Sequence, residues 1–164
     1  MASTGGVRLQ ITIDSGYALV YGKKQLKALM RKAGGEIAAT ARALIRRSTG
    51  GGQDYRGSGG SSKYRGGYKP GHYTASVPGQ APVSVTGTLA NSIKVRPFKS
   101  GEGVAIRDAA FYALFLQAGA KGPNGRVLMP RPFLTQALEQ REASIGARIK
   151  ASIVDDIEFR RIKA

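Results

Sequence analysis

The sequence predicts an α+β fold in which a long N-terminal helix and a long C-terminal helix pack on a small antiparallel sheet, with a long Gly/Tyr/Arg-rich loop between them. Three observations support this: alternating apolar and polar residues near the N-terminus and in a central hairpin, apolar residues at helical spacing in two long stretches, and clustered glycines between these stretches. The chain of 164 residues, of which 41% are hydrophobic, can bury one core. We therefore expect a single domain over residues 1–164.

The N-terminal part predicts one strand and one helix. Apolar and polar residues alternate over residues 7–14, which indicates a half-buried strand. Residues 23–48 predict a helix that Gly34 and Gly35 weaken, at a bend or a close contact. The residues expected on its core face are Leu26, Ala33, Ile37 and Leu44. The residues expected on its opposite, basic face are Lys24, Arg31 and Arg42, a surface for DNA or a protein partner unless it is only solvated.

Residues 49–77 predict a long flexible loop or assembly arm, because glycine and serine are too frequent for a packed element. Its tyrosines and cations are Tyr55, Arg56, Lys63, Tyr64, Arg65, Tyr68 and Lys69. Such residues can stack on and pair with nucleic acid without reading its sequence, or form an adaptable contact with a protein. We favour an arm that becomes ordered on contact with a neighbouring subunit or ring; loose contact with DNA and a simple spacer remain alternatives.

The second half predicts shorter elements. Thr86 is the expected N-cap of a short helical turn, and residues 92–98 and 103–108 form a hairpin. Residues 109–120 predict an apolar helix that ends at Gly119, and Pro132 suits the first turn of the last helix. The hairpin residues expected on the buried face are Ile93, Val95, Val104 and Ile106. The hairpin residues expected to point away are Lys94, Arg96 and Arg107.

The last helix is too long for one apolar face. Apolar residues follow mostly in steps of four, so the apolar stripe drifts around the helix by about 40° per step. Ile153 and Ile157 are therefore displaced from Leu134, unless Gly146 breaks or bends the helix. We expect these two isoleucines to contact another subunit; the alternative is a helix that curves around its own sheet.

Composition excludes several classes of function. The chain has no cysteine and a single histidine, His72, in the glycine-rich segment, so the sequence indicates neither a metal site nor a catalytic triad. We expect no enzyme activity and no cofactor. The absence of cysteine fits a reducing cytoplasm. Without an apolar run of about 20 residues, we expect a soluble protein with no membrane contact. The net charge of +16 instead indicates a polyanionic partner, and nucleic acid is the commonest.

Residues 78–134 contain a series of motifs: a proline–glycine lead, a "TG-x-L-x-x-SI" turn, a strand pair, a tyrosine–alanine–phenylalanine helix and "RPFL" at the start of the last helix. The residues that carry these motifs are Pro78, Gly79, Thr86, Gly87, Leu89, Ser92, Ile93, Tyr112, Ala113, Phe115, Leu116, Gly119, Arg131, Pro132, Phe133 and Leu134. The order of these motifs resembles that in the neck and tail-completion proteins (the putative tail-component family) of long-tailed, lambdoid-type double-stranded-DNA phages.

The resemblance implies a non-enzymatic virion protein, made in the host cytoplasm, that forms a homo-oligomeric ring at the head–tail interface. Its implied partners are a head-side connector ring, a tail-side terminator ring and, transiently, double-stranded DNA in the channel. The implied motif roles are structural: Thr86 caps a helix, Gly87 and Gly119 form turns, and Phe115 and Phe133 fill the core. The alternative is a free-standing basic protein that binds nucleic acid without sequence specificity.

Overall fold

The computed structural model describes residues 6–10, 23–56, 72–99, 103–122, 125 and 127–163. For residues 6–10, 23, 55–56, 72 and 153–163 it describes the backbone only. The α+β class is confirmed: two long helices flank short antiparallel strands. In chain order the elements are β1 (Gly6–Gln10), α1 (Lys23–Arg47), β2 (Asp54–Arg56), β3 (His72–Thr74), α2 (Thr88–Asn91), β4 (Ile93–Pro97), β5 (Gly103–Asp108), α3 (Ala113–Ala118), β6 (Ala120–Lys121), β7 (Val127–Leu128) and α4 (Phe133–Lys163).

The chain divides into two compact units. We call the first, which contains residues 41–93 and 108–133, the cavity unit. We call the second, which contains residues 6–40, 94–107 and 134–163, the sheet unit. The predicted single domain stays a prediction.

The sheet unit is built on a three-stranded sheet of order β1-β5-β4. β1 is antiparallel to β5, with Arg8 paired to Ala105. The predicted alternation of the hairpin is confirmed: Val104 and Ile106 are fully buried, whereas the cations on the other face are exposed. Val95 is half-buried on the same side as these two residues.

Helix α1 lies against the buried face of this sheet at Gly34. A methyl group added there would lie 2.6 Å from Val104 Cγ2 and 2.8 Å from Val95 Cγ1, so only glycine lets the helix backbone come this close. The predicted close contact is thus confirmed for Gly34. At Gly35, a methyl group would meet nothing within 4 Å.

The buried stripe of α1 differs from the prediction at one end. Leu44 is only half-buried, and the stripe ends at Ile45 instead. The steps of the stripe combine threes and fours, as 3.6 residues per turn require. The buried apolar side chains of α1 are Leu26, Met30, Ala33, Ile37, Ala38, Ala41 and Ile45.

Helix α4 packs in the sheet unit through Leu134, Ala137, Ile145 and Ile149, all buried. Two polar contacts join it to α1: Arg141 Nε donates to Thr40 Oγ1 at 2.9 Å, and Arg148 pairs with Glu36 at 2.7 Å. The helix runs without a break through Gly146 to Lys163. Ile153 and Ile157 belong to this helix, but their side chains lie outside the described residues, so the predicted subunit contact stays a prediction.

The two ends of the glycine-rich segment are paired with each other, so the predicted flexible loop, residues 49–77, is wrong at these ends. β2 and β3 form an antiparallel ladder in which Asp54 faces Thr74. The amides of Gly51 and Gly52 donate to Ala75 O at 3.1 and 2.9 Å, and the Ala75 amide donates to Gln53 O at 2.9 Å. Backbone pairing therefore holds both ends of the segment, although few side chains here suit a core.

The predicted N-cap at Thr86 is wrong by one residue. Gly87 is the N-cap of α2, with φ of 76°, and has no side chain with which to cap the helix. The turn needs a left-handed backbone at this position, which glycine adopts without strain. The Thr88 amide donates to Thr86 Oγ1 at 3.4 Å, and the two threonine hydroxyl oxygens lie 2.8 Å apart.

The last helix, α4, begins at Phe133. Pro132 therefore directly precedes this helix instead of lying in its first turn, a difference of one residue.

Candidate functional site

The family-like motifs converge in the cavity unit. The Gly79 amide donates to Pro130 O at 2.9 Å, which joins the proline–glycine lead to the "RPFL" segment. The Arg131 guanidinium extends this connection: Nε donates to Ser76 Oγ at 3.0 Å and Nη2 donates to Ser76 O at 3.0 Å. A weaker bond from Nη1 reaches Met129 O at 3.4 Å. Arg131 is only 8% exposed, and each of these acceptors is neutral.

Beside Arg131 lies an apolar cavity of about 390 Å³. Its walls come from the segment before α2, from α2 itself, from α3 and from β7. The principal lining residues are Tyr73, Val83, Leu89, Tyr112, Leu116 and Leu128. Motif residues, among them Leu89, Tyr112 and Leu116, thus form much of the wall.

Helix α3 and the β6–β7 hairpin form one local fold. Gly119 ends α3 with φ of 77°, and a methyl group there would lie 2.8 Å from Leu128 O. The predicted stop at Gly119 is confirmed, because only glycine combines this backbone angle with this close approach. The chain then pairs Ala120 with Leu128 and returns to α3, where the Arg131 amide donates to Leu116 O at 2.6 Å.

This local fold presents an apolar surface to solvent. Phe111 is 86% exposed, Val127 59% and Phe115 47%, and Met129 is also exposed. An open groove of about 490 Å³ connects Phe115 and Val127 through Tyr112, Leu116 and Leu128, with Lys121 at its edge. The Phe111 ring packs edge-on against Tyr112, with 5.3 Å between ring centroids. We call Phe111, Phe115, Val127 and Met129 the apolar surface.

The predicted core position of Phe115 is therefore wrong. α3 has only six residues, and Ala113 is its buried residue. A residue two positions after Ala113 is rotated by about 200° around a helix, which points it away from the core. Phe133, by contrast, is fully buried, as expected.

All six large apolar side chains that are exposed among the described residues lie in the cavity unit. Sequence reasoning missed the exposure of Phe111, Val127 and Met129. Phe111 lies in the stretch that is predicted as an apolar helix, whereas Val127 and Met129 lie outside any periodic stretch. The available signal was the high density of apolar residues on both sides of a glycine-containing loop.

One carboxyl group in the cavity unit is buried. Asp108 Oδ1 accepts hydrogen bonds from the Ser92 hydroxyl and, at 2.8 Å, from the Ala110 amide, whereas Oδ2 has no partner among the described residues. Burial raises the pKa of Asp108 above its usual 3.8, and these two hydrogen bonds counteract only part of the effect. Burial, and then the charge of Asp108, raise the pKa of Tyr112 as well. The carboxyl group thus ties the end of β5 to the residue after α2.

Of the predicted polyanion-contact residues, the structure describes the side chains of three, all on α1. Lys24 and Arg31 are exposed on α1. Arg42 turns inward instead: Nη2 donates to Ile93 O at 2.8 Å and Nε to Ala90 O at 3.2 Å. Tyr55 and Arg56 lie in β2, where only the backbone is described. Lys63, Tyr64, Arg65, Tyr68 and Lys69 lie outside the described residues.

In the described part of the chain, no group of three or more His, Cys, Asp or Glu residues could hold a metal ion. The His72 backbone belongs to β3, and its side chain is outside the described set. None of the helices within the described ranges is both long and apolar enough to cross a membrane.

Comparison with known proteins adds no relative: no protein family, no curated protein and no solved structure matches this chain.

Proposed function

We propose that this chain is a structural subunit of the phage head–tail junction, of the neck or tail-completion type, which assembles with copies of itself into a ring around the DNA channel. The apolar surface around α3 carries the proposal. The motif order supplies the type of assembly, and the apolar surface supplies a physical reason for assembly.

The apolar surface is larger than an isolated chain needs. Removing one exposed side chain of this size from water contributes roughly 1.5–3 kcal/mol. Two of these side chains, Phe115 and Val127, line one open groove, and Phe111 and Met129 are exposed next to groove residues in the sequence. Exposed aromatic residues and methionine are typical of a protein–protein contact. The occupant that we propose is the neighbouring copy of this chain in the ring, because Lys121 is the only charged residue among the described residues that line the groove, which suits an apolar partner.

The remaining features fit the same assembly. The net charge of +16 suits a protein through which DNA passes. The segment between β2 and β3 is anchored at both ends, so it can reach a connector or terminator ring while the cavity unit stays folded. We also propose that the protein is located in the virion and that it catalyses no reaction.

Native mass spectrometry of the purified chain, alone and mixed with the head-side ring of the same phage, tests this function. We expect a discrete closed multiple in at least one condition. The double variant Phe111→Ser/Val127→Ser should stay monomeric in both, because it removes the two most exposed apolar side chains. Gln140→Ser, which changes an exposed polar residue of α4, should assemble like the wild type.

Two results would contradict the proposal: a wild-type chain that stays monomeric even with the head-side ring, or a double variant that assembles normally. The second candidate function, a free-standing nucleic-acid binder, is favoured by the basic composition. It predicts that the monomer coats DNA in proportion to DNA length, whereas a ring has a fixed stoichiometry.

A further inference from the structure

The outer face of the three-stranded sheet carries a group of exposed cations. Lys94 and Arg96 on β4 and Arg107 on β5 are all exposed. Ala105, two residues before Arg107 on β5, lies on the same face as these cations. In the neighbouring strand β1, Arg8 is paired with Ala105. Among the described positions of this face, no aspartate or glutamate is present.

The register sets two of these cations directly opposite each other. The Ala109 amide donates to Ser92 O at 3.1 Å, and the Phe98 amide donates to Gly103 O at 2.9 Å. In an antiparallel pair the two residue numbers add to a constant, and both bonds give 201. Lys94 is therefore opposite Arg107. Like charges in directly opposed positions destabilise a sheet, so the arrangement costs stability in the free protein.

A bound polyanion would remove this cost, because phosphate groups neutralise both charges. We propose that Lys94, Arg96 and Arg107 form a binding site for the phosphate backbone of duplex DNA, with no base readout. The inference rests on the proposed function only for the place where the protein meets DNA, which is the channel of the ring. Binding of DNA at this site does not itself require a ring.

The chemistry of the face distinguishes among polyanions. An interface with an acidic protein usually needs buried aromatic or aliphatic anchors. Among the described side chains of this face, the apolar ones are the small Ala105 and a half-buried Phe98 opposite Gly103 at the end of the ladder. Single-stranded nucleic acid is usually held by stacking on several aromatic side chains, whereas the described part of this face offers one. The three exposed cations suit the regular phosphate array of a duplex.

Fluorescence anisotropy with a short DNA duplex of arbitrary sequence, between roughly 50 and 200 mM salt, tests the site. Each phosphate contact contributes about −0.9 to the slope of log K against log salt concentration, so Lys94→Gln/Arg96→Gln/Arg107→Gln should reduce the magnitude of the slope by about 2 to 3. Thermal unfolding of this sheet variant should show no loss of stability, because an opposed like-charge pair is removed.

Two triple variants serve as comparisons. Lys32→Gln/Arg47→Gln/Lys150→Gln removes the same charge from exposed positions elsewhere, and its slope should change by less than about 1. Lys24→Gln/Lys27→Gln/Arg31→Gln tests the basic face of α1 in the same assay, and its slope should also stay closer to that of the wild type.

Three outcomes would overturn the inference. The first is a sheet variant with the same slope as the scattered-charge variant. The second is a single strand of equal length that binds more tightly than the duplex. The third is a sheet variant that binds duplex normally but loses affinity for polyglutamate, which would indicate an acidic protein partner. Because binding is measured on the chain in whatever oligomeric state it has, a monomer would refute the ring without affecting this test.

Discussion

Replacement of Gly34 by alanine tests the closest contact in the sheet unit. The new Cβ would lie 2.6 Å from Val104 Cγ2, 3.2 Å from Val104 Cγ1 and 2.8 Å from Val95 Cγ1. Favourable carbon–carbon contacts lie at about 3.5–4.0 Å, so the neighbours must move by up to about 1 Å. Rotation of Val104 offers little relief, because both of its methyl groups face the site, its side chain is fully buried, and β-branched side chains are stiff.

The expected magnitude is the balance of two effects. Overpacking of a core costs about 1–3 kcal/mol, whereas alanine is favoured over glycine inside a helix by about 1 kcal/mol. Gly34→Ala should therefore lower the free energy of unfolding by roughly 0–2 kcal/mol. Gly35→Ala is the matched control, since it has the same helix gain and no atom within 4 Å of the new methyl group. It should raise the free energy of unfolding by up to about 1 kcal/mol.

Urea unfolding measures both variants, with the slope m checked for a constant change in exposed surface. The difference between the two free energies isolates the contact and should be about 1–3 kcal/mol. Equal stabilisation by both variants would refute the close packing of α1 on the sheet. In the Gly34→Ala background, Val104→Ala should cost less than it does in the wild type, by a coupling energy of about 0.5–3 kcal/mol.

Two further predictions concern the cavity unit. Arg131→Lys keeps the charge but loses the planar fork that binds Ser76 and Met129 O. The free energy of unfolding should therefore fall by about 2–4 kcal/mol in the same urea assay. An unchanged value would show that these bonds contribute nothing to stability. For Asp108, the pKa is raised in the folded state, so this group contributes stability below its unfolded pKa near 3.8 and loses it as pH rises through the folded pKa. The stability of the wild type relative to Asp108→Asn should thus increase as pH falls from 7 toward 4, measured by urea unfolding at each pH; a decrease would mean that the folded state favours the carboxylate.

Periodic patterns predicted the secondary structure well. The alternation in β4 and β5 identified the buried face correctly, and the helical spacing in α1 located most of its core residues. Gly34 and Gly119 were also recognised, because glycine inside or at the end of a helix has few structural explanations. These features depend on local sequence, which a single chain reveals.

Features that depend on distant partners could not be predicted. Arg42 has the spacing of a surface cation, yet it binds the carbonyl oxygens of Ala90 and Ile93, far away in sequence. The pairing of β2 with β3 depends on three-residue strands with no periodic signal. The exposure of Phe115 follows from the short length of α3 and from where that helix packs, and neither is visible in the apolar composition of residues 109–120.

The ladder between β2 and β3 has a consequence for how this protein can change. The pairing of Asp54 with Thr74 holds the two ends of the intervening segment together. In a flexible loop whose ends are already joined, each doubling of the length costs only about 0.6 kcal/mol. For the predicted loop between these ends, we therefore expect insertions, deletions and whole-segment exchange to leave the described fold intact. In the proposed ring, exchange of this one segment would change the neighbour that the subunit contacts.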